Sequence, residues 1–316
     1  MPRSARWCAL PTTPISRRTL RASSSHLAAF SLLALTNLLW AGNWVLGRAL
    51  RDSFDPVSLN FWRWFIALVV LTPFGLRAVA GKGEVLRAHA GILALLALLS
   101  VPLFQTFVYQ GLRTTTAINA VLLNSSAPLF MIACSWLIER ERATPRQITG
   151  MLISLAGIMI IMTRGEPVRL VELELHSGDL WILAAMPLWG LYSVLLKRRP
   201  AELSGVGFLF VISLLGVTML APFFLAHSIV APPPVPTLEA ALAVLYMGIA
   251  ASVIAFICWN RGVELVGANA AGFTLHLLPA FGTLLAIAFL DEAFRGFHAA
   301  GVATILAGVL LATYRR

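Results

Sequence analysis

The sequence predicts an all-α polytopic membrane protein of about ten transmembrane helices, arranged as two inverted five-helix repeats. Three observations predict this class. Hydrophobic residues make up 59% of the chain and charged residues 12%, against roughly a half and a quarter in soluble domains. Apolar windows of about 20 residues, the length that crosses a bilayer, recur between short polar connectors. An internal repeat relates the two halves of the chain.

Charged or Pro- and Gly-rich connectors separate the apolar windows, and these windows are the predicted helices. Their expected bounds are Leu27–Arg48, Val57–Leu76, Gly91–Leu112, Thr115–Ile138, Gln147–Met162, Gly178–Leu196, Gly205–Ala226, Leu238–Trp259, Ala268–Leu290 and Gly296–Thr313. We expect four segments: a disordered basic cytoplasmic tail (1–26), a first five-helix repeat (27–163), an extracytoplasmic connector (164–177) and a second repeat (178–316). The tail has the composition of an organelle transit peptide, but a cytoplasmic tail fits the charge distribution better.

The net charge of +10 reflects membrane topology rather than nucleic-acid binding. With the N-terminus inside, 17 of the 24 Lys and Arg residues fall in cytoplasmic segments, six fall outside, and Arg63 lies within a span. Such an excess marks the cytoplasmic side. The sequence thus predicts a multi-pass inner-membrane protein with both termini in the cytoplasm and no nucleic-acid partner. It leaves the oligomeric state open, and a monomer is compatible with it.

The internal repeat is carried by residues other than Leu and Ala, which match by chance between apolar helices. Five pairs share an offset of 151: Pro128 and Pro279, Phe130 and Phe281, Glu141 and Glu292, Gly150 and Gly301, and Gly157 and Gly308. The first and sixth helices pair at an offset of 149, where Trp40 matches Trp189 and Asn43 matches Tyr192. Because each copy has an odd number of helices, the second copy is inverted in the membrane. The prolines predict kinks in helices four and nine.

These motifs resemble the EamA-type members of the drug/metabolite transporter superfamily. The resemblance covers nearly the whole chain after the tail. It rests on "WAGNWV" with Arg48 in the first helix, Arg63 of "FWRWFIA" in the second, and the duplicated Pro, Glu and Gly pattern of helices four, five, nine and ten. It implies that helices 1, 3, 4, 6, 8 and 9 surround a substrate path, with helices 5 and 10 as packing elements. It also implies export of amino acids or other small metabolites.

Polar and aromatic residues within the spans are the candidate substrate-binding residues, because an unpaired polar group in hydrocarbon costs several kcal/mol. Thr36, Trp40 and Asn43, for example, share one stripe of the first helix. The candidates are Trp40, Asn43, Trp44, Arg63, Gln105, Tyr109, Asn119, Asn124, Trp189, Tyr192, Trp259, Asn260 and His276. The alternatives are structural: hydrogen bonds between helices for the amides, and an aromatic belt for Tyr109 and Trp259.

Charged residues within the spans are few. Arg63 either anchors a substrate carboxylate or extends to the interface towards Asp55, which costs less. His276 either binds substrate, relays a proton or is structural. All 14 Asp and Glu residues fall in connectors or at span ends, so exchange of a proton for a drug cation on a buried acid is not expected. Glu141 and Glu292 each precede a helix start, where a negative charge interacts favourably with the helix dipole.

The sequence therefore predicts a secondary transporter that exports small organic metabolites, such as amino acids, by alternating access. A nucleotide-sugar or phosphorylated-sugar antiporter is the alternative within the superfamily, and it would need several basic residues along the cavity. A polytopic membrane enzyme is the alternative of another class. The sequence does not favour it, because no cluster of His, Asp and Glu and no phosphate-binding loop has the required spacing. We expect no cofactor and no metal site.

Overall fold

A computed structural model describes residues 17–115, 117–166, 168, 174, 176–230, 236–289 and 295–313 of the chain. For residues 17–25, 117–118, 286 and 288–289 the description is limited to the backbone. The regular elements in these ranges are all helical.

Nine helical stretches in the described ranges are long and apolar enough to cross a bilayer, and a tenth, interrupted helix covers 268–289. The helices are α1 (Arg17–Ala49), α2 (Pro56–Val79), α3 (Ala90–Thr114), α4 (Ala117–Asn124 and Ala127–Glu139), α5 (Pro145–Met162), α6 (Ser177–Arg198), α7 (Gly205–Val230), α8 (Leu238–Val266), α9 (Ala268–Phe273, Thr274–His276 and Leu277–Phe289) and α10 (Gly296–Thr313). The predicted fold class is confirmed. The first helix begins at Arg17, within the segment expected as a tail.

Helix packing follows the internal repeat. Two helices pack on their own repeat partners, α2 on α7 and α5 on α10. The others exchange partners between the halves: α1 packs on α8 and α9, and its counterpart α6 packs on α3 and α4. The two repeats are thereby interleaved. The counterparts α1 and α6 each insert between helices that line the centre.

Repeat-related glycines bring the backbones of α5 and α10 together. Gly150 faces Gly308, and Gly157 faces Gly301. A Cβ on Gly157 would lie 2.8 Å from the Gly301 carbonyl oxygen, and one on Gly301 would lie 2.9 Å from the Gly157 carbonyl oxygen. Small residues permit such close helix contacts in membranes. The pair therefore packs along a shared strip of backbone.

Both helices with a predicted kink are interrupted at repeat-related points. The two halves of α4 meet at Ser125 and Ser126, just before Pro128, and α9 changes to a 3-10 turn at Thr274–His276, just before Pro279. The prolines fit these positions because they lack an N–H donor. The interruption frees backbone carbonyls for other partners. Accordingly, the Ser125 carbonyl oxygen accepts a hydrogen bond from His276 Nε2 at 3.1 Å.

Two π-helical segments also occupy related positions, Leu99–Leu103 in α3 and Ile249–Ile254 in α8. A π segment widens the helix by one residue and disturbs the regular carbonyl pattern, and such segments are frequent at functional sites. The Ala251 carbonyl oxygen in the second segment accepts bonds from two side chains of other helices. The segments thus create acceptors where the halves meet.

Ion pairs join helix ends on the predicted cytoplasmic side. Lys197 Nζ lies 2.6 Å from Glu141 Oε1, so the end of α6 is tied to the end of α4. The expectation that Glu141 serves the dipole of α5 is therefore wrong. Thr144 caps α5 instead, in a reciprocal capping box with Gln147. Glu292, the repeat partner of Glu141, lies outside the described residues.

Candidate functional site

A cluster of buried aromatic rings occupies the centre of the helix bundle. The repeat-related Trp40 of α1 and Trp189 of α6 meet edge to face, with ring centroids 5.1 Å apart. Phe256 and Trp259 of α8 lie 5.7 and 5.3 Å from Trp40, and Phe104 of α3 lies 4.8 Å from Trp189. Edge-to-face pairs, here Trp40 with Trp189 and with Phe256, are favourable beyond the area they bury. Rings from both halves of the chain thus form one continuous aromatic wall.

Arg63 of α2 is fully buried beside this wall. Its Nε donates to Ser252 Oγ at 2.5 Å, and its Nη2 donates to the Ala251 carbonyl oxygen at 3.1 Å, both in the π segment of α8. Its Nη1 donates to Gln105 Oε1 at 2.6 Å and to Tyr109 Oη at 2.8 Å, both in α3. The planar guanidinium, with donors on several sides, suits this bridge between three helices.

The expectation that Arg63 reaches the interface towards Asp55 is wrong. Asp55 caps α2 by accepting from the Val57 and Ser58 backbone N–H groups, and it lies 3.2 Å from His227 Nε2. The structure instead points the guanidinium into the bundle. The partners supplied by the π segment of α8 make this inward orientation possible, and the sequence does not indicate them.

The direction of each hydrogen bond in this network follows from the chemistry of Arg63. A guanidinium only donates, so Tyr109 Oη accepts from it and uses its own hydrogen elsewhere. Tyr109 Oη donates that hydrogen to Asn43 Oδ1 of α1 at 3.0 Å. Gln105 likewise presents its oxygen to Arg63. One buried cation therefore sets the orientation of two amides and a hydroxyl.

The second half of the chain contains a matching Tyr–Asn hydrogen bond. Tyr192 Oη of α6 donates to Asn260 Oδ1 of α8 at 2.8 Å. In the repeat Asn43 corresponds to Tyr192, and Tyr109 to Asn260. Both repeats therefore contain a Tyr–Asn bond between equivalent helices. The tyrosine lies on α3 in the first repeat and on α6, the counterpart of α1, in the second.

A small cavity lies between these groups. Its volume is about 20 Å³, and its walls are Trp40, Asn43, Trp44, Phe104, Gln105, Asn124, Trp189, Leu275 and Leu278. A space of this size accommodates about one water molecule. Six of the predicted site residues line it, and three more (Arg63, Tyr109 and Trp259) contact its walls.

Two larger openings flank the cavity at opposite ends of α1 and α9. One, of about 300 Å³, shares the side chains Trp44 and Leu278 with the central cavity. The other, of about 610 Å³, is lined by residues that include Phe30 at the start of α1 and Ala270 at the start of α9. The central cavity therefore lies between two larger openings.

Several predicted residues lie away from the cavity. Asn119 donates to the Glu174 carbonyl oxygen at 2.8 Å and to Asp179 Oδ2 at 2.9 Å, at the start of α6. His276 is fully buried, with Nδ1 bonded to Ser154 Oγ of α5 and Nε2 bonded to the Ser125 carbonyl oxygen. These contacts favour the structural interpretation of His276.

Sequence reasoning missed four buried residues that form hydrogen bonds between helices. Ser252 and Ala251 are partners of Arg63, and no sequence signal marks the π segment that exposes them. Asn60 precedes Arg63 by one helical turn and donates to the Val101 carbonyl oxygen at 2.8 Å. Asn37 donates to Thr274 Oγ1 at 3.3 Å. Both asparagines lie within apolar spans, a signal that the sequence does carry.

Comparison with known proteins identifies a family, two relatives and a solved structure that are similar to this chain. The sequence matches the EamA-like transporter family over residues 27–163 and 176–314. It is 30% identical over 302 residues to an uncharacterized transporter of Archaeoglobus fulgidus, covering 93% of this chain and 99% of that protein. It is 26% identical to a probable terminal-alkyne amino-acid exporter of Streptantibioticus cattleyicolor, covering 90% of this chain and 92% of the relative. A protein crystal structure shares the fold, with a TM-score of 0.69 at 23% identity over 92% of this chain and 98% of its own.

Proposed function

The chain belongs to the EamA-like transporter family of the drug/metabolite transporter superfamily, and we propose that it exports amino acids or closely related small metabolites by alternating access. It is a multi-pass membrane protein. The names of its relatives point to a transporter family rather than to an enzyme. The substrate class and the direction of transport are the parts of the proposal that go beyond the family.

One observation carries the proposal: polar groups and rings from both repeats converge on one small cavity. Trp40 and Asn43 come from the first repeat and Trp189 from the second. A packing core would not need amides at such a point, since apolar side chains would fill the space without the cost of burying polar atoms. A binding site for a small molecule combines apolar walls with a few oriented polar groups.

Alternating access is supported by the arrangement of the three cavities. The central cavity lies between two larger openings and is too small for an amino acid, which is the form expected between the two open states of such a transporter. Trp44 and Leu278 separate it from the opening of about 300 Å³. Movement of these two side chains would connect the cavity to that opening.

Outward transport of amino acids is supported by the relative from Streptantibioticus cattleyicolor, which is named a probable terminal-alkyne amino-acid exporter. We propose that the protein lies in the inner membrane with both termini in the cytoplasm, because 17 of its 24 Lys and Arg residues then lie on the cytoplasmic side.

A sugar-phosphate antiporter would need several buried basic groups. Among the described residues Arg63 is the one Lys or Arg that is fully buried.

Export can be tested in cells loaded with dipeptides, which release amino acids inside. Cells with the wild-type protein should lose one or more of the 20 amino acids faster than cells with Asn43→Leu, present at an equal amount in the membrane. Leu removes the acceptor of the Tyr109 bond at the cavity wall. Equal release of every amino acid by the two strains would contradict the proposal. A parallel loss of folded Asn43→Leu protein would favour a purely structural Asn43.

A further inference from the structure

We infer that the central cavity is a carboxylate site, in which the Trp189 indole N–H and the Asn124 amide N–H groups bind the substrate carboxylate and Arg63 acts as the positioning residue. The inference rests on the proposed function, because it requires the cavity to lie on the substrate path. It adds the chemical group that is recognised and the residues that recognise it.

Two residues that line the cavity carry buried donors without a partner. Trp189 is 2% exposed and Asn124 5% exposed. Neither Trp189 Nε1 nor Asn124 Nδ2 has a hydrogen-bond partner in the described part of the chain, and both side chains line the cavity. A buried donor without a partner is unfavourable. The two groups are accounted for if an acceptor enters between them.

Arg63 adds further donors without entering the cavity. Gln105 and Asn43 both line the cavity, and each uses its oxygen in the Arg63 network. An amide whose oxygen is engaged in this way has its NH₂ group left for other contacts. Arg63 therefore determines that these two amides offer hydrogen atoms, rather than oxygens, to a molecule in the cavity.

The charge of the site also favours an anion. All four hydrogen-bond partners of Arg63 are neutral, and no ion pair joins it to a carboxylate within the described ranges. The residues that line the cavity include no Asp or Glu. A buried cation without a counter-charge favours an incoming anion. A carboxylate supplies both the negative charge and the acceptor oxygens, whereas an ammonium group supplies neither.

The chain offers a matched control for the indole donor. Trp259 belongs to the same aromatic cluster, 5.3 Å from Trp189 between ring centroids. Its Nε1 is also buried and without a partner among the described residues, but Trp259 is not a wall residue of the cavity. Trp189→Phe and Trp259→Phe therefore remove the same N–H group at similar cost in packing. Only the first change removes a donor from the proposed site.

The experiment uses the full-length protein in liposomes loaded with a radiolabelled amino acid that it transports. Competition is measured with L-phenylalanine and L-leucine and with the corresponding amides, L-phenylalaninamide and L-leucinamide. For the wild type we expect the acids to compete about tenfold better than the amides, a ratio that corresponds to about 1.4 kcal/mol. In Trp189→Phe and in Asn124→Asp this ratio should fall towards one, since Asp keeps the shape of Asn but replaces a donor by an acceptor.

Arg63→Gln should lower the same ratio in the fraction of protein that folds, which a merely structural role would not do. Trp259→Phe should keep the wild-type ratio, even if it changes the affinities for the acids and the amides by the same factor. A wild-type ratio near one would overturn the carboxylate site, as would a ratio unmoved by both Trp189→Phe and Asn124→Asp. Transport in either case would leave the proposed function intact. Failure to transport any amino acid would instead overturn the proposed function, and the inference with it.

Discussion

At the residue scale, the feature that organises the centre of the protein is a buried, permanently charged side chain. Moving a guanidinium out of water costs several kcal/mol, and geometry and hydrogen bonds must offset it. Arg63 makes four hydrogen bonds to two side-chain hydroxyls, an amide and a backbone carbonyl. Lysine carries the same charge on a single nitrogen and does not span partners on different sides. The site should therefore require the shape of arginine as well as its charge.

Arg63→Lys should destabilise the protein by about 2 kcal/mol or more, because at least one buried partner loses its bond. Thermal unfolding in one detergent is the measurement. Arg113→Lys is the matched control, since Arg113 is exposed at the end of α3, and its unfolding temperature should stay at the wild-type value. Equal unfolding temperatures for the Arg63 variant and the wild type would show that the site does not require the shape of the guanidinium.

At the element scale, the two Tyr–Asn bonds join equivalent helix pairs at different predicted depths in the membrane. Asn43 and Tyr109 tie α1 to α3, and Tyr192 and Asn260 tie α6 to α8. The first tie lies nearer the predicted outer end of α3, and the second nearer the predicted inner end of α6. Since the repeats are inverted, equivalent bonds belong to opposite sides of the cavity. Both bonds are formed in this structure.

Loss of one tie should open one side only. Tyr109→Phe should raise labelling of a cysteine placed at Thr283, in the opening predicted to face outwards, by about twofold or more. Tyr192→Phe should instead raise labelling of a cysteine at Ala270, in the opposite opening. Both are measured in a background in which the three native cysteines are replaced by Ser. Changes of the same sign at both sites would show general loosening rather than gating.

The glycine strip between α5 and α10 predicts a contrast between two Gly→Ala changes. A Cβ at Gly157 would meet the backbone of α10 at 2.7 Å, whereas one at Gly282 meets nothing within 4 Å. Gly157→Ala should cost about 1–3 kcal/mol through overpacking. Gly282→Ala should be neutral or stabilising by up to about 1 kcal/mol, because Ala favours helix. Thermal unfolding of the purified variants compares them, and a neutral Gly157→Ala would contradict the close contact.

At the scale of the whole molecule, the inverted repeat requires the two halves to have opposite orientations. The basic residues already predict which side is cytoplasmic. A membrane-impermeant thiol reagent added to intact cells should label Glu166→Cys, at an exposed position, and should not label Lys82→Cys, at a partly exposed position. Lysed cells provide the control, in which both should react. Labelling of the Lys82 variant in intact cells would overturn the orientation.

Transport should depend little on pH between about 5 and 8. The Asp and Glu residues lie outside the predicted mid-membrane zone, and His276, whose type ordinarily titrates near pH 6.5, is buried with both ring nitrogens bonded. Liposomes with equal gradients of a substrate that does not titrate allow the wild type to be compared with His276→Gln. A steep profile that disappears in this variant would make His276 a coupling group. A steep profile that survives would implicate the acids at the helix ends.

The sequence alone determined the ten spans, the repeat and most of the residues around the cavity, because hydrophobic length and buried polar side chains are local signals. Trp40, Asn43, Gln105, Asn124 and Trp189 all stand out within apolar spans. Tertiary structure alone decided their partners. Arg63 turns inwards because α3 and the π segment of α8 present acceptors to it. Asn119 pairs at the start of α6 instead of lining the cavity. Hydrogen bonds between helices depend on how distant segments pack, and helical periodicity carries no information about that.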